Sequence, residues 1–155
     1  MNTLEFSIVG LEADPQGSAR IHLRDTAHAH DLRVRVGAVD GQALAAELAG
    51  LRSARSRLVF TIGRMAQSLN AQLTQIQLER STGNVVEAQL ILTTDLDQTA
   101  VPLSFSDAIA LAHTLHLPIV GDASLAPLLQ SSAAPEPVYH IPSTIEAFLN
   151  SLSDA

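Results

Sequence analysis

Two aspartates, a run of arginines and two histidine pairs hold most of the groups in this chain that could do chemistry. Asp107 follows Ser104-Phe105-Ser106, and Asp40 follows Val36-Gly37-Ala38-Val39. Two carboxylates brought together could hold Mg²⁺ or Mn²⁺ and activate water for attack on a phosphodiester. The competing reading places each aspartate third in a helix, where it complements free backbone amides. The metal reading requires the carboxylates to face each other within about 5 Å. The helix-start reading lets them lie far apart. Arg52, Arg55 and Arg57 fall within six residues and suit phosphate, because a guanidinium forks onto two oxygens at once. His28-Ala29-His30-Asp31 could offer alternate side chains to a metal, although no further ligand stands nearby in the sequence. His113 and His116 are three apart and share a face if their segment is helical. There is no cysteine, which removes disulfides, thiolate metal sites and a cysteine nucleophile. No glycine-rich phosphate loop, nucleophile elbow or zincin motif occurs.

The elements that must position these groups can be read from periodicity. Leu4, Phe6 and Ile8 alternate with polar residues, as do Ala19, Ile21 and Leu23, and then Leu32, Val34 and Val36, giving three strands. They would turn Arg20, Arg24, Arg33 and Arg35 to an outward face, read either as solvated or as phosphate-binding. A helix is expected from Ala38 to Ala49, closed by Gly50. Residues 52–57 read as a basic loop. A second helix should follow with Leu58, Ile62, Met65, Ala66 and Leu69 as its buried stripe. Thr74, Ile76 and Leu78, then Val86, Ala88, Leu90 and Leu92, mark a hairpin of two strands. Val101 and Leu103 mark a third strand, with Pro102 arguing for an edge. Ser104 and Asp107 have capping-box spacing, and Phe105 to Leu115 is helical until Pro118 stops it. Ile119 and Val120 then read as a short core strand.

Residues 36–45 align without a gap on 103–112, so that Asp40 falls on Asp107, Leu44 on Leu111 and Ala45 on Ala112. The expected architecture is therefore an α+β domain, single and compact, with a mixed or antiparallel sheet and an internally duplicated strand–helix unit. Its expected extent is residues 1–129. Residues 130–142, rich in Pro, Ser and Ala, read as a linker, and 143–155 as a short amphipathic helix.

Charge and length narrow the function. The chain has 155 residues and a formal net charge of −7. All nine basic residues are arginines, and all lie between Arg20 and Arg80. An acidic protein attracts nucleic acid only through a local arginine patch, which here must sit in the first half. With one Tyr and four Phe, base-stacking platforms are scarce. No long apolar stretch suggests a membrane span and no basic-then-apolar start suggests a leader, so a cytoplasmic location is expected.

Residues 34–120 resemble the bifunctional nuclease domain family. The resemblance rests on Ser106-Asp107-Ala108-Ile109-Ala110-Leu111-Ala112 followed by Leu117-Pro118-Ile119-Val120, on Asp40-Gly41-Gln42-Ala43-Leu44 opening a helix, and on Leu69-Asn70-Ala71 entering a strand. It implies cleavage of DNA and RNA, an internally repeated fold, and assembly as a homo-oligomer, a dimer or trimer. Arg55 matches a family arginine. Two departures bear on activity. The family's Thr-His-Asp run is replaced by Leu58-Val59-Phe60, and its Arg-Pro before Ser-Asp by Ser104-Phe105. Apolar side chains neither bind a metal nor move a proton. Two functions therefore stay open: a nuclease using Asp107 and Asp40 with Arg55, Arg52 and Arg57, or an oligomeric binding module that kept the fold and lost the site.

Overall fold

The computed structural model describes residues 3–27, 30–51 and 53–131. In order they form β1 (Leu4–Ala13), β2 (Ala19–Asp25), β3 (His30–Val36), α1 (Ala38–Leu48), α2 (Ala54–Ser68), β4 (Gln72–Arg80), β5 (Val86–Thr93), β6 (Gln98–Leu103), α3 (Phe105–Leu115), β7 (Ile119–Gly121), a 3-10 turn (Ala123–Leu128) and β8 (Gln130–Ser131).

The duplication expected from sequence runs through the whole fold. α1 starts at Ala38 and α3 at Phe105, 67 positions later. β2 starts at Ala19 and β5 at Val86, and β3 ends at Val36 and β6 at Leu103, with the same spacing of 67. Each half is a three-stranded antiparallel meander leading into a helix. In the sheet the order is β6-β5-β4-β7-β1-β2-β3-β8, so the two meanders run outward from a shared centre. β7 is the seam. It pairs antiparallel with β1 and parallel with β4, which sets Ile119 opposite Phe6 on one side and Ile76 on the other. All three side chains are buried. Pro102 lies in β6, at an outer edge, where its missing N–H breaks no ladder.

α3 packs between α1 and α2 and lies on β4 and β5. Ser106 and every residue from Ala108 to Ala112 are buried. Each helix ends on a residue in the left-handed region: Gly50 after α1, Asn70 after α2 and His116 after α3. The Leu51 amide then donates to the Ala46 carbonyl, Ala71 to Ala66 and Leu117 to Ala112, which closes the last turn in each case.

Helix α2 departs from expectation at both ends of its pattern. Arg55 and Arg57 are not in a loop. They lie in the first turns of α2, which Ser53 caps by accepting from the Ser56 amide. The side chains that α2 buries are Ser56, Val59 and Ala66, while Leu58, Ile62, Met65 and Leu69 are 64%, 40%, 59% and 73% exposed. Apart from Ala66, the stripe is helical in period, as read, but points outward. α3 is buried by small residues on its flanks, so α2 rests on it through its own smallest face, around Gly63. The apolar triplet is also divided, with Val59 inside and Leu58 and Phe60 outside. Gln130 and Ser131, read as the start of the linker, instead pair with Asp31 and His30 of β3. The rest of the linker, the C-terminal helix, Arg52 and His28 lie outside the described residues.

Two glycines at helix contacts give opposite expectations. A Cβ on Gly41 would meet the Ala19 Cβ at 2.7 Å, between α1 and β2. Gly41→Ala is expected to cost about 1–3 kcal/mol through overpacking. A Cβ on Gly63 would meet Leu115 Cδ2 at an ordinary 3.6 Å. Gly63→Ala is therefore expected to stabilise by up to about 1 kcal/mol through helix propensity. Urea unfolding of the two variants beside the parent measures both signs.

Candidate functional site

The site begins where α1 hands over to α2. Glu47 is buried near the end of α1, and an isolated buried carboxylate is costly. Here it accepts from the Ser53 hydroxyl at 2.8 Å and the Ser56 hydroxyl at 2.9 Å. These two bonds fix the start of α2 against the end of α1. Arg55 lies between the two serines and turns toward the start of α3. Its Nη2 donates to Asp107 Oδ1 at 2.6 Å and lies 3.5 Å from the Ser106 hydroxyl. Arg55 is mostly covered, with 19% of its side chain exposed, whereas Asp107 keeps 57%. Ser104 caps α3 by accepting from the Asp107 amide at 3.2 Å. The other half of the expected capping box is replaced by the ion pair, because the Asp107 carboxylate turns out to Arg55.

Asp40 occupies the matching third position of α1, exposed, and makes no side-chain hydrogen bond or ion pair among the described residues. It lies two helical turns, about 10 Å, back along α1 from Glu47. The contact through Arg55 draws Asp107 toward the Glu47 end of α1. Among the described residues no group of three or more His, Asp or Glu side chains could hold a metal ion. Asp107 is engaged by Arg55, and the two carboxylates share no hydrogen-bond or ion-pair partner among the described residues.

The outward arginines of the first meander are held by acids. Arg24 Nε lies 2.9 Å from Asp31 Oδ1, Arg33 Nε 3.3 Å from Glu12 and Arg35 Nη2 3.1 Å from Asp14. His22 is fully buried among them, its Nε2 3.0 Å from Asp31 Oδ2. Burial alone would raise the Asp31 carboxyl, but hydrogen bonds from Arg24 and His22 outweigh it and hold the group below its ordinary 3.8. Asp14 is lowered too, first by the hydrogen bond from the Gln16 amide, which outweighs burial, and then by Ser18, Arg35 and Arg20. This face is an internal charge network, not a free cationic surface.

Free cationic charge is found elsewhere. A cleft of about 930 Å³ runs beside α2, lined by Arg57, Phe60, Arg64, His113 and His116 together with Glu47. Residues 57, 60, 61 and 64 project from one flank of α2, and the two histidines come from the last turn and cap of α3. Arg57 and Arg64 have no carboxylate partner among the described residues, and Phe60 is 55% exposed. Of the arginines expected to meet phosphate, Arg57 lines this cleft and Arg55 is bound to Asp107. Arg64 was not singled out from sequence. Its signal was present in the seven-residue spacing from Arg57, which returns to the same helix flank.

The fold is an internally repeated α+β domain in which guanidiniums and imidazoles share one cleft. Comparison with protein families defines the class further: the bifunctional nuclease domain model matches residues 21–133. The chain belongs to that family. A search of curated proteins gives no match. Among the described residues no helix is long and apolar enough to cross a membrane.

The Asp31 network predicts an acid-sensitive fold. A carboxyl lowered in the folded state contributes stability that is complete above the unfolded value of 3.8 and is lost as pH falls through the lower folded value. Thermal unfolding from pH 6 to pH 2 should show stability falling below about pH 4. Asp31→Asn should be less stable at pH 6 and show a shallower acid decline.

Proposed function

We propose that this chain acts on nucleic acid, with the phosphodiester backbone lying in the cleft beside α2. The observation that carries this reading is the pair of guanidiniums Arg57 and Arg64, on one flank of a helix that lacks any acid and without a carboxylate partner among the described residues. The net charge of −7 repels a polyanion at long range, so a local patch must supply the attraction. Phe60 between them offers a ring for a base to stack on. Arg55 gives its charge to Asp107, so most of the phosphate attraction falls to Arg57 and Arg64. Phosphodiester cleavage, as the family name describes, is the activity proposed for this cleft.

A second reading, an oligomeric binding module, is supported by one observation. The outward stripe Leu58, Ile62, Met65 and Leu69 is contiguous and apolar, the kind of surface that marks a protein contact. Dimer or trimer formation through α2 is the corresponding proposal. Sedimentation velocity of the parent and of Ile62→Glu/Met65→Glu tests it: a monomeric parent rules it out, and an oligomer dispersed by the charges supports it.

For nucleic acid, the measurement is fluorescence anisotropy with a labelled single strand at several salt concentrations. Each phosphate neutralised on a single strand adds about 0.7 to the slope of log K against log salt. Arg57→Ala/Arg64→Ala should lower affinity several-fold and reduce that slope by about 1–1.5. Arg55→Ala should change it less. A parent slope near zero, or a double variant that binds like the parent, defeats the reading.

A further inference from the structure

The outward stripe of α2 is the one place among the described residues where several large exposed apolar side chains share a face. Leu58, Ile62 and Met65 follow one another at steps of four and three, and Leu69 continues the row at the helix end. Outside α2 the large exposed apolar side chains, Val39, Val85 and Leu96, stand singly on α1 and in two turns. We propose that the chain's own C-terminal segment, residues 143–155, lies on this stripe. The proposal does not depend on the nucleic-acid reading, and it gives the stripe a different occupant from a second copy.

The segment carries a matching face. Ser143 and Glu146 have capping-box spacing, and Ile145, Phe148, Leu149 and Leu152 then recur at helical steps, which predicts an amphipathic helix. So short a helix is marginal in water by itself and forms only against an apolar surface. Charge matches as well. α2 carries Arg55, Arg57 and Arg64 and no acid. Residues 132–155 carry Glu136, Glu146 and Asp154 and neither Lys nor Arg. A second copy fits less well, because a two-fold contact sets the same patch against itself. α2 against α2 would bring like charges together, Arg57 and Arg64 of each copy, with no acid on either helix to offset them.

The connection is long enough. Ser131 ends β8, at the outer edge of the sheet beside β3, and α2 packs against β4. Five strand spacings separate β8 from β4, about 24 Å across the sheet. Fourteen residues lead from Ser131 to Ile145. Fully extended they span about 46 Å, which leaves a surplus for the climb to the outer side of α2.

The test uses the full chain, which has no Trp or Cys of its own. Phe148→Trp places an indole on the segment, and acrylamide quenching reads its exposure. Quenching should be several-fold weaker than in the same chain carrying Ile62→Glu/Met65→Glu. Ile145→Glu/Leu149→Glu should free the indole equally while leaving α2 untouched, which keeps the test decisive if the α2 charges disturb the fold. Val39→Glu, the same kind of change on exposed α1 surface, should leave the indole protected. Protection should hold over about a hundredfold range of protein concentration, because a contact within one chain has no mass-action term. In a separate chain, Ile62→Cys/Leu149→Cys treated with a short bismaleimide should give a crosslinked monomer on a denaturing gel. Equal quenching with and without the α2 charges, or no crosslink, overturns the proposal. Protection that fades on dilution, or a crosslinked dimer, gives the stripe to a second copy and overturns it too.

Discussion

The constraint on which the structure turns is the burial of α3 on all sides. From Ala108 to Ala112 five consecutive residues are hidden, so this helix has no outward face for more than a turn. Such a helix needs small side chains where neighbours press on it, and alanine alternates through this run for that reason. α1 and α2 lie on its flanks and the sheet lies beneath. The position of α2 follows from this. It meets α3 across Gly63 and Leu115, and it is tied to α1 through Glu47.

A helix buried along its middle can offer chemistry only at its ends, and both ends of α3 do so. At the start, Asp107 meets Arg55 and the two charges satisfy each other. At the finish, His113 and His116 line one cleft with Arg57 and Arg64 of α2. The apolar run Leu58-Val59-Phe60 acquires a physical meaning here. Only Val59 enters the core, while Phe60 enters the cleft and Leu58 joins the outward stripe.

Much of this was legible from residue patterns. Strand alternation gave both meanders, because each strand has one face on the core. The ungapped match of Asp40 to Asp107 gave the duplication, since equal spacing in the chain became equal elements in space. The direction of α2 was not legible. Its stripe of Leu58, Ile62, Met65 and Leu69 has the period of a buried face, and periodicity reports only that a face is apolar. The small residue Gly63 meets Leu115 of α3, and that preference depends on a neighbour distant in sequence. Likewise the pairing of Arg55 with Asp107, and of Arg24 with Asp31 and His22, arises from register between elements, which spacing along one element does not encode.

The three-residue seam strand has a consequence for how the molecule assembles. Each meander joins strands adjacent in the chain, so either can form early through short loops. Ile119 to Gly121 must wait, because their partners are Leu4 to Phe6 at the far N-terminal end and Ile76 to Leu78 on the other side of α3. Closing that long loop is the slow, entropically expensive event. The two halves should therefore be locked last by the shortest element of the core.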